Sequence, residues 1–124
     1  MAPHVLIVDD STLVIGALQL LLEETGHRVS AASTVGDAVS AARAGRPDVM
    51  LLDLTLRRES GLEVMRQLAS TNDLPPVTVA LTGHDEPETR RRCVEAGCRD
   101  VLVKPIAPLE LPGKIRAWLE GGGE

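Results

Sequence analysis

Four short apolar runs, each followed at once by a chemically reactive residue, restrict what this chain can fold into. They are His4–Val8, Asp48–Leu52, Val77–Leu81 and Asp100–Val103. Runs this short and rich in β-branched residues are typical of strands, and their near-continuous apolarity favours parallel strands covered on both faces. A fifth segment, Arg28–Ala32, alternates polar and apolar residues as an edge strand does. The sequence therefore predicts a buried parallel sheet of five strands.

Segments with helical spacing lie between these strands. The predicted helices are Leu13–Glu24, Val35–Ala44, Ser60 to about Ser70, and Glu86–Ala96. Strand and helix thus alternate along the chain, which indicates right-handed crossovers and one α/β domain over residues 1–120. Residues 121–124 are interpreted as a Gly-rich tail or the start of a linker.

Capping residues predict where several helices begin and end. Thr34 and Asp85 are candidate N-caps, Gly26, Gly45 and Gly97 are candidate C-caps, and Ser60 to Glu63 has the capping-box form. Pro112 would interrupt a helix that began at Pro108, because an interior proline removes a hydrogen bond. The regular part of the last helix is therefore predicted to begin near Pro112, after an irregular lead-in over Ala107–Leu111.

Composition excludes several classes of function. The formal net charge of −5 argues against direct nucleic-acid binding by this domain. The sequence contains no stretch long enough to span a membrane and no secretory leader, so a cytoplasmic protein is expected. Cys93 and Cys98 are interpreted as reduced structural thiols. One Trp and no Phe or Tyr disfavour a flavin site.

The reactive residues after the strands are expected to converge, because ligands of open α/β sheets bind just outside the carboxyl ends of the strands. These residues are Asp9, Asp10, Asp53, Thr82 and Lys104. A single Asp after a strand is often only a cap or turn residue. Three carboxylates together repel one another and need cationic compensation, which Lys104 and a divalent cation would supply. Oxygen ligands without His or Cys favour Mg²⁺, and the whole set indicates a phosphoryl site.

With these residues in place, the chain resembles the receiver domain of bacterial two-component response regulators over essentially its full length. The motifs that carry the resemblance are Val8–Asp10, Asp53-Leu54 with Gly61 eight residues after Asp53, Thr82-Gly83, and Lys104-Pro105. The resemblance implies a flavodoxin-like, doubly wound sheet of order 2-1-3-4-5, flanked by five helices. In that order the first and third strands are neighbours, so the aspartate pair would face Asp53.

The resemblance also implies a function and a role for each site residue. Asp53 would be the phosphoacceptor, attacking a phosphohistidine on a sensor histidine kinase or phosphotransfer protein. Asp10, Asp53 and the backbone carbonyl of Thr55 would hold Mg²⁺, with Asp9 assisting through a water. Lys104 and Thr82 would bind the phosphoryl group. The domain would be a switch that catalyses only its own phosphorylation and dephosphorylation, and it would act on a downstream effector or form a homodimer.

Three positions depart from the usual pattern of the family. Val101 stands where a Tyr or Phe is usual. Either output travels through the Thr82–Glu86 loop and the following helix by backbone shifts, or the coupling to the output surface is weaker. Arg57 stands where a proline is common. Leu56–Ser60 is interpreted either as a solvated loop or as a segment in which Arg57 or Arg58 contacts the kinase or shields the site. The third departure is Pro112 with its neighbour Gly113 in the last helix.

Three other functions remain as alternatives. An aspartyl-phosphate phosphatase of the haloacid-dehalogenase type needs a second acid two residues after the nucleophile, where this chain has Thr55. A flavodoxin-type flavin site lacks both aromatic residues and a phosphate-binding loop after the first strand. A receiver that binds its partner without phosphorylation is disfavoured because all the acceptor-site residues are present, and it rests only on Val101 and the unusual last helix.

Overall fold

The computed structural model describes residues 2–84 and 86–121. Its five main strands are β1 (His4–Val8), β2 (Arg28–Ala32), β3 (Val49–Asp53), β4 (Val77–Thr82) and β5 (Asp100–Val103). The helices are α1 (Thr12–Glu24), α2 (Val35–Gly45), α3 (Leu62–Ser70), α4 (Pro87–Ala96) and α5 (Leu111–Glu120). The strands form one parallel sheet in the order β2-β1-β3-β4-β5. The predicted fold class and strand order are confirmed.

Two apolar layers hold the sheet between its helices. On one face, Leu6 and Val8 of β1 pack with the buried side chains of α2, α3 and α4. On the other face, Val5 and Ile7 pack with those of α1 and α5. Alternate residues of the same strand thus enter opposite cores, which explains why β1 and β3 are almost continuously apolar. In the described part of the chain, no helix is both long and apolar enough to cross a membrane.

The two cysteines lie in the core on the α4 side of the sheet. Cys93 and Cys98 are both buried and neither forms a disulfide. Burial raises the pKa of the Cys98 thiol to about 12, with the neighbouring Cys93 adding to the shift. A thiol with so high a pKa carries little thiolate at neutral pH, which agrees with the predicted structural role.

Several helix boundaries follow the predicted caps, and one does not. The side chain of Thr34 accepts a hydrogen bond from the Asp37 N–H, and Gly97 ends α4 in the left-handed region with φ 112°. The prediction that Gly45 caps α2 is wrong, because Arg46 is the left-handed cap, with φ 48°. Gly45 instead packs against His4, whose Cε1 would lie 2.8 Å from an added Cβ. The predicted cap Asp85 lies outside the described residues.

The capping box predicted for Ser60 and Glu63 forms only in part. Helix α3 begins at Leu62 after Gly61, and the Ser60 Oγ accepts a hydrogen bond from the Leu62 N–H at 3.2 Å. Ser60 belongs to a short antiparallel hairpin in which Thr55-Leu56 pairs with Glu59-Ser60. The Glu63 carboxylate accepts hydrogen bonds from Arg66 and Gln67 instead of turning back toward Ser60. Ser60 therefore supplies its half of the capping box while it also pairs in the hairpin, and Glu63 does not supply the other half.

The last helix agrees with the prediction made from Pro112. A 3₁₀ turn over Pro108–Glu110 leads into an α-helix that begins at Leu111, one residue before the predicted start. Pro112 therefore lies in the first turn, where a backbone N–H has no partner within the helix. The proline is accommodated because the regular helix starts late.

Candidate functional site

The candidate site lies where four neighbouring strands end at one edge of the sheet. Asp9 directly follows β1, Asp53 and Thr82 are the last residues of β3 and β4, and Lys104 directly follows β5. Because β1 and β3 are hydrogen-bonded neighbours, Asp9, Asp10 and Asp53 come together. Carboxylate oxygens of these three residues lie within 4.8 Å of one another. The structure thus brings the three predicted metal-binding carboxylates to one place.

Lys104, at the end of the outermost strand β5, bridges two of these carboxylates. Its Nζ lies 3.0 Å from Asp9 Oδ2 and 2.9 Å from Asp53 Oδ2. The Lys104 backbone N–H donates to the Thr82 carbonyl over 2.7 Å, which holds the start of this loop against β4. The Asp9 side chain is 0 % exposed, so its charge depends on this ammonium for compensation.

Main-chain N–H groups occupy further oxygens of the three carboxylates. Asp9 Oδ1 accepts from the Ser11 N–H at 2.9 Å, and Asp53 Oδ1 accepts from the Thr55 N–H at 2.9 Å. Asp10 Oδ2 accepts from the Arg57 N–H at 2.8 Å. Each carboxylate is therefore oriented by backbone two or more residues away, and the cluster is held in a defined arrangement.

The electrostatics of the cluster are incompletely balanced. Burial raises the pKa of the Asp53 carboxyl above its ordinary value, and the Asp9 charge adds to this, although the Thr55 N–H and Lys104 oppose it. Burial alone would lower the pKa of Lys104, but hydrogen bonds and charge from Asp53 and Asp9 leave that pKa raised. The Lys104 ammonium therefore compensates the burial of the Asp53 carboxylate only in part. A further cation would relieve this deficit.

The raised pKa predicts that Asp53→Asn stabilises the protein in the absence of divalent cations. A carboxyl that ionises less readily when folded opposes folding once the pH exceeds its unfolded pKa, ordinarily 3.8. We expect the variant to have the larger free energy of unfolding at pH 7, with the difference vanishing below about pH 3, where both states are protonated. Urea unfolding in EDTA at both pH values measures this. A less stable variant at pH 7 would contradict the electrostatic description.

The arrangement of donors fits a hard divalent cation. Every side chain in the acidic cluster offers oxygen, and two of the three carboxylates are almost fully buried. Mg²⁺ prefers a small number of carboxylates together with waters and phosphate oxygens. Three carboxylates and one ammonium also leave two negative charges when all four groups are ionised. Asp9, Asp10 and Asp53 are therefore compatible with a magnesium site.

Thr82 borders a polar cavity beside the cluster. Its Oγ1 lies 3.1 Å from the His84 carbonyl and 3.2 Å from the His84 N–H, so the hydroxyl is engaged with its own loop. The cavity has a volume of about 200 Å³ and is lined by Thr55, Thr82, His84 and Arg92, among others. It is large enough for several waters or a small anion. Thr82 would have to leave His84 to donate its proton to a bound group.

Two features of the site were missed by the sequence reasoning. Gly61 lies directly beneath the phosphoacceptor candidate, because a Cβ added there would meet the Asp53 carbonyl oxygen at 2.1 Å. Arg57 has a left-handed backbone, with φ 55°, and contacts Asp10 through its N–H. The family motif included Gly61, but the sequence did not show why a glycine is required at this position. No local signal marks Arg57, since Arg is not a residue that favours positive φ.

Comparison with known proteins identifies relatives of this chain. A family model described as the response regulator receiver domain matches residues 5–116. The response regulator MprA of Mycolicibacterium vanbaalenii is 38% identical over 130 residues, covering 100% of this chain and 56% of that protein. The chain thus spans about half the length of the curated relatives that it matches.

Solved structures share the whole fold. A response regulator receiver domain protein (CheY-like) from Methanospirillum hungatei superimposes with a TM-score of 0.89 at 24% identity, covering 99% of this chain and 98% of that one. A structure described as the BeF3-activated DrrB receiver domain has a TM-score of 0.82 at 27% identity, covering 97% of this chain and 99% of that one.

Proposed function

The chain belongs to the response regulator receiver family, and we propose that Asp53 is the residue on which it accepts a phosphoryl group. As a receiver domain it is the phosphoacceptor of a two-component system, a signalling switch and not a classical enzyme. The observation that carries the assignment to Asp53 is the hydrogen bond that it accepts from Lys104, which is 2.9 Å long and partly buried at the end of β3. A carboxylate there is held, partly desolvated and next to a group that binds phosphoryl oxygens.

The positions of these groups support a direct transfer to Asp53. A carboxylate oxygen of Asp53 attacks the phosphorus of a phosphohistidine, the P–N bond breaks, and the imidazole leaves with the bonding electron pair and takes up a proton. The product is an acyl phosphate on Asp53. The Lys104 ammonium, 2.9 Å from Asp53 Oδ2, needs to move only a short way to pair with a phosphoryl oxygen.

We propose that Mg²⁺ is held by Asp10, Asp53 and the backbone carbonyl of Thr55, with Asp9 acting through a water. When bound, the ion would neutralise charge on the phosphoryl oxygens. The support is the oxygen-only cluster of carboxylates within 4.8 Å and the unbalanced charge around Asp53. Asp9 suits the outer position because it is fully buried and already bonded to Lys104 and Ser11.

The switch is proposed to begin at Thr82. Its hydroxyl would leave the His84 backbone, to which it is bonded at 3.1 Å, and donate to a phosphoryl oxygen. That change would shift the loop that leads into α4. Val101, which is buried in β5, has no ring whose rotamer could report the movement. Output through the loop backbone and α4 is therefore the proposed route, biased by new charge and new hydrogen bonds at the site.

The proposed phosphodonor is a sensor histidine kinase or phosphotransfer protein, and an exposed apolar surface suits its docking. Leu13 at the start of α1 is 85% exposed, and Leu109 in the turn before α5 is 86% exposed. An apolar groove of about 480 Å³ lies beside the segment between β5 and α5. It is lined by Val14, Ile106 and Lys104, among others. Exposed apolar surface of this kind marks interaction sites. A partner bound in this groove would approach Asp53 from the side on which Lys104 lies.

The docking proposal predicts different effects on transfer from a protein phosphodonor and from a small-molecule phosphodonor. We expect Leu109→Asp to slow transfer from a phosphorylated kinase by about tenfold or more, since a charge enters an apolar contact. Labelling by acetyl phosphate should not change, because a small donor needs no docking surface. Val94→Asp is the matched control: Val94 is 63% exposed on α4, on the opposite side of the sheet. Radiolabel transfer measures both rates, and an equal loss with acetyl phosphate would contradict the docking role.

The extent of the domain and its cellular compartment are proposals as well. Residues 1–120 are proposed as the receiver unit. Of the Gly-rich tail or linker start predicted over residues 121–124, residues 122–124 lie outside the described part of the chain. The cytoplasm is the proposed compartment, which the two free buried thiols support. Western blotting of cell fractions, with Cys93 and Cys98 probed by a thiol reagent after unfolding, tests the compartment. Recovery outside the cytoplasm would contradict it.

A further inference from the structure

The hairpin formed by Thr55-Leu56 and Glu59-Ser60 touches the acidic cluster through an unusual residue. Arg57, at its turn, has φ 55°, in the left-handed region that residues with a side chain rarely adopt. This backbone points the Arg57 N–H at Asp10, whose Oδ2 lies 2.8 Å away. Positions 10 and 57 are far apart in sequence, so the contact depends on the placement of the whole hairpin. Strained backbone is concentrated at functional sites, so the left-handed Arg57 beside Asp10 points to a functional role for this turn.

The hairpin is anchored on the side away from the site. Leu56 is 1% exposed and packs in the apolar core that includes α2 and α3. Glu59 Oε1 accepts a hydrogen bond from the N–H of Val35, the first residue of α2, at 3.1 Å. An acidic group at this end of a helix also meets the positive end of the helix dipole. Glu59 therefore ties the hairpin to α2 while Arg57 contacts the cluster.

Asp10 needs such support more than its neighbours do. Asp9 and Asp53 are each held by Lys104 and by a nearby backbone N–H. Asp10 is only half-buried, and its carboxylate is joined by a donor that comes from the hairpin. A carboxylate fixed in advance loses less side-chain entropy when it binds a cation.

We infer that the hairpin is a positioning device for the cation site, in which the Arg57 N–H fixes the Asp10 carboxylate and Glu59 anchors the hairpin on α2. The inference rests on the proposed function in that Asp10 is taken as a cation ligand. Arg57 and Glu59 are positioning residues. Their contributions come from a backbone N–H and a side-chain acceptor, so the charge of the Arg57 guanidinium is not required.

Mg²⁺ affinity, measured by isothermal titration calorimetry, tests the device with two matched pairs. Arg57→Gly and Arg57→Val both remove the guanidinium, but only glycine adopts the left-handed backbone readily. Glu59→Gln retains the acceptor for Val35, and Glu59→Ala removes it. We expect the Val and Ala variants to bind Mg²⁺ on the order of tenfold more weakly, and the Gly and Gln variants to match the wild-type protein. Equal or tighter binding by the Val and Ala variants, with circular dichroism unchanged, would overturn the inference.

Amide hydrogen exchange of Arg57, followed by NMR without metal, separates this inference from the proposed function. The Arg57 N–H should be protected in the wild-type protein, and Asp10→Ala and Glu59→Ala should each remove the protection. Unprotected exchange in the wild-type protein would overturn the positioning role alone. Protection together with no Mg²⁺ binding by the wild-type protein would overturn the proposed cation site and, with it, the purpose assigned to the hairpin.

Discussion

Lys104→Met should lower the rate at which acetyl phosphate labels the protein by about 100-fold or more. The ammonium lies 2.9 Å from Asp53 Oδ2, where negative charge from the incoming phosphoryl group must be stabilised. Methionine retains the length and apolar stem of the side chain but supplies neither charge nor hydrogen-bond donor. The fully buried Asp9 also loses its ammonium partner, so the variant should be less stable as well.

The chain provides a matched control for this substitution, since Lys104 and Lys114 are its only lysines. Lys114 lies within α5, so Lys114→Met removes the same charge from the protein without altering the end of β5. Initial rates from intact-mass spectrometry at several acetyl phosphate concentrations would separate loss of binding from loss of rate. Labelling of Lys104→Met at a rate near that of Lys114→Met would contradict the role proposed for Lys104.

Gly61→Ala should destabilise the fold by about 3 kcal/mol or more. An added Cβ would lie 2.1 Å from the Asp53 carbonyl oxygen and 2.9 Å from the Leu54 Cα, and both are backbone atoms. The Gly61 N–H donates to the Leu54 carbonyl at 2.9 Å, so the two segments cannot separate without losing this bond. Any shift that relieved the clash would displace Asp53 itself.

Gly16→Ala is the matched control for Gly61→Ala and should change stability in the opposite direction. Gly16 lies within α1, and an added Cβ there would meet nothing within 4 Å. Alanine in a helix is favoured over glycine by about 1 kcal/mol, so the control should be more stable. Urea unfolding followed by circular dichroism measures both free energies. A Gly61→Ala variant as stable as the wild-type protein would show that the turn after β3 is looser than described.

The sheet could be predicted from the sequence because burial on both faces leaves a direct trace in each strand. Val5 and Ile7 enter one core while Leu6 and Val8 enter the other, so the run between them has no polar position. The start of α5 was equally predictable, since a proline is tolerated in the first turn of a helix and not in its interior. In both cases the residue type that suits the local secondary structure is also the one that the tertiary structure requires.

The hairpin after β3 was not predictable, because distant contacts outweigh its local signals. Ser60 and Glu63 have the spacing of a capping box, but the Glu63 carboxylate bonds to Arg66. Ser60 pairs with Thr55 in the hairpin while its side chain accepts from the Leu62 N–H. Arg57 takes a left-handed backbone although Arg carries no preference for it, and the hydrogen bond from its N–H reaches an aspartate far along the chain. Such contacts appear only once the strands are assembled.

The central claim, that Asp53 accepts a phosphoryl group in the presence of Mg²⁺, is tested most directly by intact mass after incubation with acetyl phosphate. The wild-type protein should gain one phosphoryl group, and the gain should be absent without Mg²⁺ and in Asp53→Asn. Asp37→Asn, a matched change on the exposed side of α2, should gain it normally. Equal gain by Asp53→Asn would place the phosphoryl group elsewhere. No gain by folded wild-type protein with any small donor would instead favour a receiver that binds its partner without phosphorylation.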